Sequence, residues 1–195
     1  MVAMFTTIGH SNRSMEEFVA MLREAQVGLL VDVRSFPRSR SNPRFNTDTL
    51  PADLEAVQIG YVHVRALGGR RPRQPGIDED LNALWRVQSF HNYADYALGE
   101  EFGAAFDEIV RLGGQRRLAL MCSEAVWWRC HRRIIADYLL LNGQEVDHLM
   151  APGHVEPATP TPGAQRAAEG KVIYPAREDD AREGGRRALR GNKTL

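Results

Sequence analysis

Four short clusters in this chain hold residue types that can move protons, attack electrophiles or grip anions: Gly9-His10-Ser11, Asp32-Val33-Arg34, Gly68-Gly69-Arg70-Arg71 and Cys122-Ser123-Glu124, the last followed closely by Cys130-His131-Arg132. Asp32 and Glu124 are a candidate carboxylate pair for acid/base work, a contribution typically worth about 10² to 10⁴ in rate. His10 is a further acid/base or orienting group. Cys122 has the setting that lowers a thiol pKa, at a strand end beside a helix N-terminus and arginines. Glu124, two residues on, opposes a second negative charge there and acts the other way. Each residue also has a plainer reading: Asp32 can cap a loop, and Cys130 reads as packing. His131 falls on the stripe His131, Ile134, Ile135, Tyr138 and Leu139, the spacing of a buried helix face.

The spacing of basic residues is informative as well. Arg34, Arg38, Arg40 and Arg44 share one loop with no acid between them, and Arg65, Arg70, Arg71 and Arg73 repeat the pattern in another. An anionic ligand is the natural inference, with Arg34, Arg40 and Arg132 as contacts. Phe36, Phe45, Trp127 and Trp128 lie among these arginines, a combination suited to phosphate contacts plus stacking on a base. Neither G-x-x-x-x-G-K-[ST] nor G-x-G-x-x-G occurs. C-x7-C-H is not a recognised zinc spacing, so a metal site from Cys122, Cys130 and His131 with His10 is a minor alternative. No metal and no cofactor are expected.

These clusters need elements to present them, and the hydrophobic pattern supplies them. Met4 to Ile8 reads as a buried strand, and Ser14 with Glu17 forms a capping box for a helix through about Ala25. Leu29 to Val33 is an apolar run broken by one acid, as in a strand covered on both faces. A Pro-rich loop follows to about Asn46, then a helix from Pro51 to Val57 and a strand from Tyr61 to Val64. Residues 78–112 read as helical, with Trp85, Phe90, Tyr93, Tyr96, Phe102 and Phe106 as core contacts. Arg117 to Met121 is another buried strand, followed by a helix from Trp128 to Leu141 with an Asn142-Gly143 cap and a last strand from Glu145 to Leu149. Strands separated by helices imply a single-domain α/β fold with a mainly parallel sheet in three layers, spanning residues 1–150. Residues 151–195 read as a Pro-rich linker, a short ordered piece at Lys171 to Tyr174, and a charged, mobile tail from Arg177.

Composition narrows the class. The chain has 195 residues, 43% hydrophobic and 26% charged, enough for one core of ordinary size. Its 25 basic and 25 acidic residues cancel, so bulk attraction to nucleic acid is excluded and any such binding must be local. No apolar run reaches membrane-spanning length and no signal peptide is evident, which makes a cytoplasmic protein the expectation. The two cysteines, too few for a disulfide framework, should stay reduced there.

Thr7-Ile8-Gly9-His10-Ser11, Leu30-Val31-Asp32-Val33-Arg34 with Pro37, Ser39-Arg40, Pro43 and Phe45, then Leu67-Gly68-Gly69, and Cys122-x-Glu124 with Cys130-His131-Arg132 together resemble the bacterial family called domain of unknown function 488, over about residues 5 to 150. The resemblance implies an α/β fold, points to these same residues and carries a suggested link to nucleic-acid metabolism. A looser likeness to rhodanese-like and cysteine-phosphatase domains is weakened because Arg129 lies one residue beyond C-x-x-x-x-x-R and Glu124 would sit inside the anion cradle. The sequence therefore predicts an enzyme acting on an anionic small molecule, nucleotide or nucleic acid by acid/base hydrolysis or transfer. Asp32, Glu124, His10 and Cys122 are its catalytic candidates, with Ser11, Arg34, Arg40, Gly68, Gly69, Cys130, His131 and Arg132 as binding candidates. Its rivals are thiol chemistry at Cys122 and a non-enzymatic nucleic-acid-binding module. The sequence does not speak to the oligomeric state.

Overall fold

The computed structural model describes residues 4–176. Five strands, β1 (Met4–Gly9), β2 (Leu29–Asp32), β3 (Gly60–His63), β4 (Leu118–Cys122) and β5 (Glu145–Ala151), are mutually parallel, and β6 (His154–Pro157) adds an antiparallel edge in the order β3-β2-β4-β1-β5-β6. Between them run α1 (Met15–Glu24), α2 (Leu50–Glu55), α3 (Gln88–Ala97), α4 (Glu100–Gly113) and α5 (Arg132–Leu141). The expected α/β layering is present. Ser14 caps α1 by accepting from the Glu17 amide, as its spacing predicts.

Alternation along the strands explains the three layers. Leu118, Leu120 and Cys122 of β4, with Leu29 and Val31 of β2, face a core built with α3, α4 and α5. Ala119, Met121 and Leu30 face a second core with α1 and α2. Both faces of the sheet are apolar because both are covered, which is why these strands read as continuous hydrophobic runs.

The chain leaves β1 toward β2 and β3 but leaves β4 toward β5 on the other side, so the carboxyl ends of neighbouring β1 and β4 bound a topological switch point. Loops diverge there, leaving a crevice where α/β proteins place ligands.

Three expectations need correction. The helix after β4 begins at Arg132 rather than near Trp128, after a separate 3-10 turn at Trp127–Arg129. His131 therefore stands at the N-cap position of α5, without a side-chain capping bond, instead of lying along its buried face. The stretch from 151, read as a loose linker, is mostly exposed but carries regular structure: it contributes β6 and a small hairpin of β7 (Gln165–Arg166) and β8 (Val172–Ile173), and it buries Thr161, Val172 and Tyr174. The tail expected to be mobile lies outside the described residues. Among the described residues no helix is long and apolar enough to cross a membrane.

Candidate functional site

The loops at the carboxyl ends of β1, β2 and β4 enclose a cleft of about 790 Å³, to which the loop after β3 and the start of α3 also contribute. Close backbone contact holds it together. His10 and Ser11 amides donate to the carbonyls of Cys122 and Ser123, each at 3.0 Å, and continue the β1–β4 pairing past the strand ends. A side chain on Gly9 would collide with the Glu124 carbonyl and fall 2.7 Å from its carbon, so only glycine lets this loop close. Gly69 plays the same part for His131, whose ring Cγ lies 2.6 Å from where a Cβ would stand.

Arg34 is the buried anchor on one wall. Asp32 accepts from its Nε at 2.9 Å, from its Nη2 at 2.6 Å and from its amide at 3.1 Å, and also takes the Tyr61 hydroxyl at 2.8 Å. Burial, then the Asp32 carboxylate, hold the Tyr61 hydroxyl protonated far above its ordinary range. The Arg34 Nη1 group reaches His10 Nε2 at 3.2 Å, while His10 Nδ1 donates to the Ser11 carbonyl at 3.0 Å. Burial and the neighbouring guanidinium push His10 down to about 4, so its imidazole is neutral near pH 7. Its ring stacks on Phe45 at 4.6 Å.

The opposite wall carries the sulfur. His131 Nε2 donates to the Val33 carbonyl at 3.0 Å, which leaves Nδ1 as an acceptor facing both thiols, 3.6 Å from Cys130 Sγ and 3.9 Å from Cys122 Sγ. Arg132 donates from Nε to Cys130 Sγ at 3.4 Å and from Nη2 to the Glu124 carbonyl at 2.6 Å. Burial pushes the Cys130 thiol up, but the hydrogen bond from Cys122 and the Arg132 guanidinium outweigh it and bring it below its ordinary value. Cys122 moves the other way, raised by the bond it gives Cys130 and by its own burial. Within this pair the Cys130 thiol is drawn down and the Cys122 thiol pushed up, so Cys130, which the sequence offers as packing and as a binding candidate rather than as a nucleophile, is held toward its thiolate.

Eight of the twelve candidate residues line this one cleft: His10, Arg34, Arg40, Gly69, Cys122, Glu124, Cys130 and His131. Four do not. Asp32 pairs in register with Met121, so it lies on the opposite face of the sheet from Cys122 and is fully buried behind Arg34. Arg132 is 1% exposed and braces the Cys130–Glu124 loop rather than reaching a ligand. Ser11 turns its carbonyl to His10, and Gly68 packs on Ser35. The arginine loops divide likewise. Arg38, Arg40 and Arg70 border the cleft, whereas Arg44 and Arg73 pair with Asp53 and Glu79 and Arg71 lies 3.8 Å over the Tyr96 ring. Of the interleaved aromatics only Phe36 borders the cleft. Phe45 is buried and Trp127 stacks on His148 at 4.3 Å.

Sequence reasoning missed Arg129, Ser35, Ser89 and Phe90 on the cleft wall, and Tyr61 behind it. Arg129 could have been found from its place in the loop after β4. Ser89 and Phe90 come from α3, far away in the chain, and carry no local signal.

The pattern described as Domain of unknown function DUF488 matches residues 14–139. The chain belongs to this family. The matched stretch holds the Asp32–Arg34, Gly68-Gly69 and Cys122–Arg132 clusters, and begins just after His10. Neither the curated proteins nor the solved structures give a match.

Proposed function

We propose that this DUF488 protein is an enzyme that takes a phosphate-bearing substrate of the nucleotide or nucleic-acid class into the cleft and carries out acid/base hydrolysis or transfer there. The observation that carries the reading is the charge of the cleft wall: Arg34, Arg38, Arg40, Arg70 and Arg129 border it against the single carboxylate of Glu124. In a molecule of zero net charge, that concentration of guanidinium is local and favours a multiply charged anion. Arg34, held rigid by Asp32 and Tyr61, supplies a fixed contact. The exposed Arg38 and Arg40 close on the ligand, and Phe36, with Arg70 5.6 Å over its ring, offers a stacking face at the mouth.

Glu124 is the proton-transfer group in this reading. It projects from a loop clamped by Gly9 and Arg132, and it is the only carboxylate bordering the cleft among the described residues. Asp32 has a different part, since a fully buried carboxylate engaged by Arg34 and Tyr61 has no access to substrate. Cys122 is disfavoured as nucleophile because the bond it gives Cys130 and its own burial raise its thiol.

The test is a panel of nucleoside mono-, di- and triphosphates and short single-stranded oligonucleotides, assayed for binding and turnover. Arg38→Ala with Arg40→Ala should weaken binding at least about tenfold and flatten its salt dependence by about one unit for each phosphate no longer gripped. Glu124→Gln should keep affinity and lose about 10² to 10⁴ in turnover. Binding without turnover, unaffected by Glu124→Gln, would favour a non-enzymatic binding module. No binding to any member of the panel at low salt would remove the reading altogether.

A further inference from the structure

Cys122, Cys130 and His131 bring three ligand atoms within 4.8 Å of one another on the wall of the cleft. We propose that they form a metal site for a thiophilic divalent cation of the zinc class, with its fourth coordination position open to the arginine cleft. The triad by itself supports this site, whatever substrate the cleft takes.

The distances suit a tetrahedral ion. Zinc bound to sulfur at about 2.3 Å and to nitrogen at about 2.0–2.1 Å separates neighbouring ligand atoms by about 3.5–3.8 Å. The two sulfur–nitrogen separations here are 3.6 and 3.9 Å. The tautomer is also the one required: Nε2–H is committed to the Val33 carbonyl, and the Nδ1 lone pair faces the sulfurs. A backbone carbonyl on the far nitrogen is the common outer support of a metal-bound histidine. Arg132 Nε, donating to Cys130 Sγ, supports a thiolate in the same manner.

The unfavourable spacing C-x7-C-H is overcome by the fold. Cys130 is extended, with φ −124° and ψ 147°, and His131 turns into the helical region at φ −57° and ψ −17°, so the side chains of adjacent residues converge. Cys122 arrives from the end of β4. Charge agrees as well: two thiolates cancel a divalent ion, so the filled site does not repel Arg34 or Arg132. Gly69 leaves room for the His131 ring that a side chain would displace. Two cysteines and one histidine with a vacant fourth position is the ligand set of a catalytic rather than a structural zinc. His10 is not the fourth ligand, because its Nε2 faces Arg34.

The experiment uses the untagged, reduced full chain, stripped by chelator and titrated with Co²⁺ and then Zn²⁺. One Co²⁺ per chain should bind with thiolate-to-cobalt charge-transfer bands and tetrahedral d–d bands, and Zn²⁺ should bleach them. Cys122→Ser, Cys130→Ser and His131→Gln should each abolish that spectrum, while Arg40→Ala leaves it intact. In the unmutated chain Zn²⁺ should protect both cysteines from iodoacetamide, a readout that needs no variant to fold. The absence of thiolate bands, or alkylation at one rate with and without Zn²⁺, would overturn the site. Either result leaves nucleotide binding by the arginine cleft to be judged separately.

Discussion

Asp32 shows how one residue type supports two different chemistries, and why position decides between them. In the sequence it is an acid at a strand end, the usual place for a catalytic carboxylate in an α/β fold. Its register partner is Met121, which puts it on the α1–α2 face, one residue out of phase with Cys122. There it serves Arg34, and removing its charge leaves a 5% exposed guanidinium beside a neutral partner. Breaking a buried pair from one side costs about 3–5 kcal/mol. Asp32→Asn should therefore shift urea unfolding by that order and weaken anion binding, whereas Tyr61→Phe, which removes one hydrogen bond to a charged group, should cost only about 1.5–3 kcal/mol. An Asp32→Asn protein as stable as its parent would show that Arg34 finds another counter-charge. The residue types of the cleft were legible from the sequence, but which face each side chain took depended on strand parity, and that needed the pairing of β2 with β4.

At the scale of elements, most strands and helices through residue 149 could be read from their apolar patterns, although residues 78–87, expected as helix, hold only a 3-10 turn at Glu79–Asn82 and the helix after β4 starts late. Residues 151–176 repeat nothing. Their contribution rests on single side chains such as Tyr174, which is fully buried, lies 5.1 Å from the Trp85 ring and donates its hydroxyl to Asp137 at 2.9 Å. Asp137 also takes the Thr161 amide at 2.7 Å, so one buried carboxylate on α5 fastens this stretch at two points. Burial raises the Asp137 pKa, with those same donors opposing the rise. Tyr174→Ala should cost about 3–5 kcal/mol, the range for emptying a large aromatic site in a core. Tyr174→Phe should cost about 1–3 kcal/mol, because Asp137 then lacks one of its donors. Denaturant midpoints measure both, and a neutral Tyr174→Ala would restore the view of this stretch as a linker. Proline content misled here because prolines end regular structure without preventing burial of the residues between them.

For the molecule as a whole, the sheet gathers positive charge at one edge and places two histidines where that charge acts on them. His10 and His148 are each held down to about 4 from an ordinary 6.5. Burial is the first cause in both. For His10 the Arg34 and Arg132 guanidiniums add to it against the bond to the Ser11 carbonyl and the Asp32 charge, and for His148 Arg132 adds to it against Glu156. Neither imidazole charges in the folded protein until well below the pH at which it would charge in the unfolded chain. The unfolded state therefore binds more protons between about 6.5 and about 4, and stability must fall as pH drops through that window. Above 6.5 both states hold neutral imidazoles and this contribution is complete. Each group loses up to about 1.4 kcal/mol per pH unit inside the window, so together they should remove on the order of 5 kcal/mol, and at most about 7 kcal/mol, by its lower end. Urea midpoints taken at about pH 7.5, 5.5 and 4.5 should decline steadily, and His148→Gln, which keeps an acceptor for the Thr7 hydroxyl, should make the decline shallower by about half. Ring-proton resonances assigned to His10 and His148 that titrate near 6.5 in the folded protein would contradict the account directly, because they would place both rings in contact with solvent rather than buried under the field of Arg34 and Arg132.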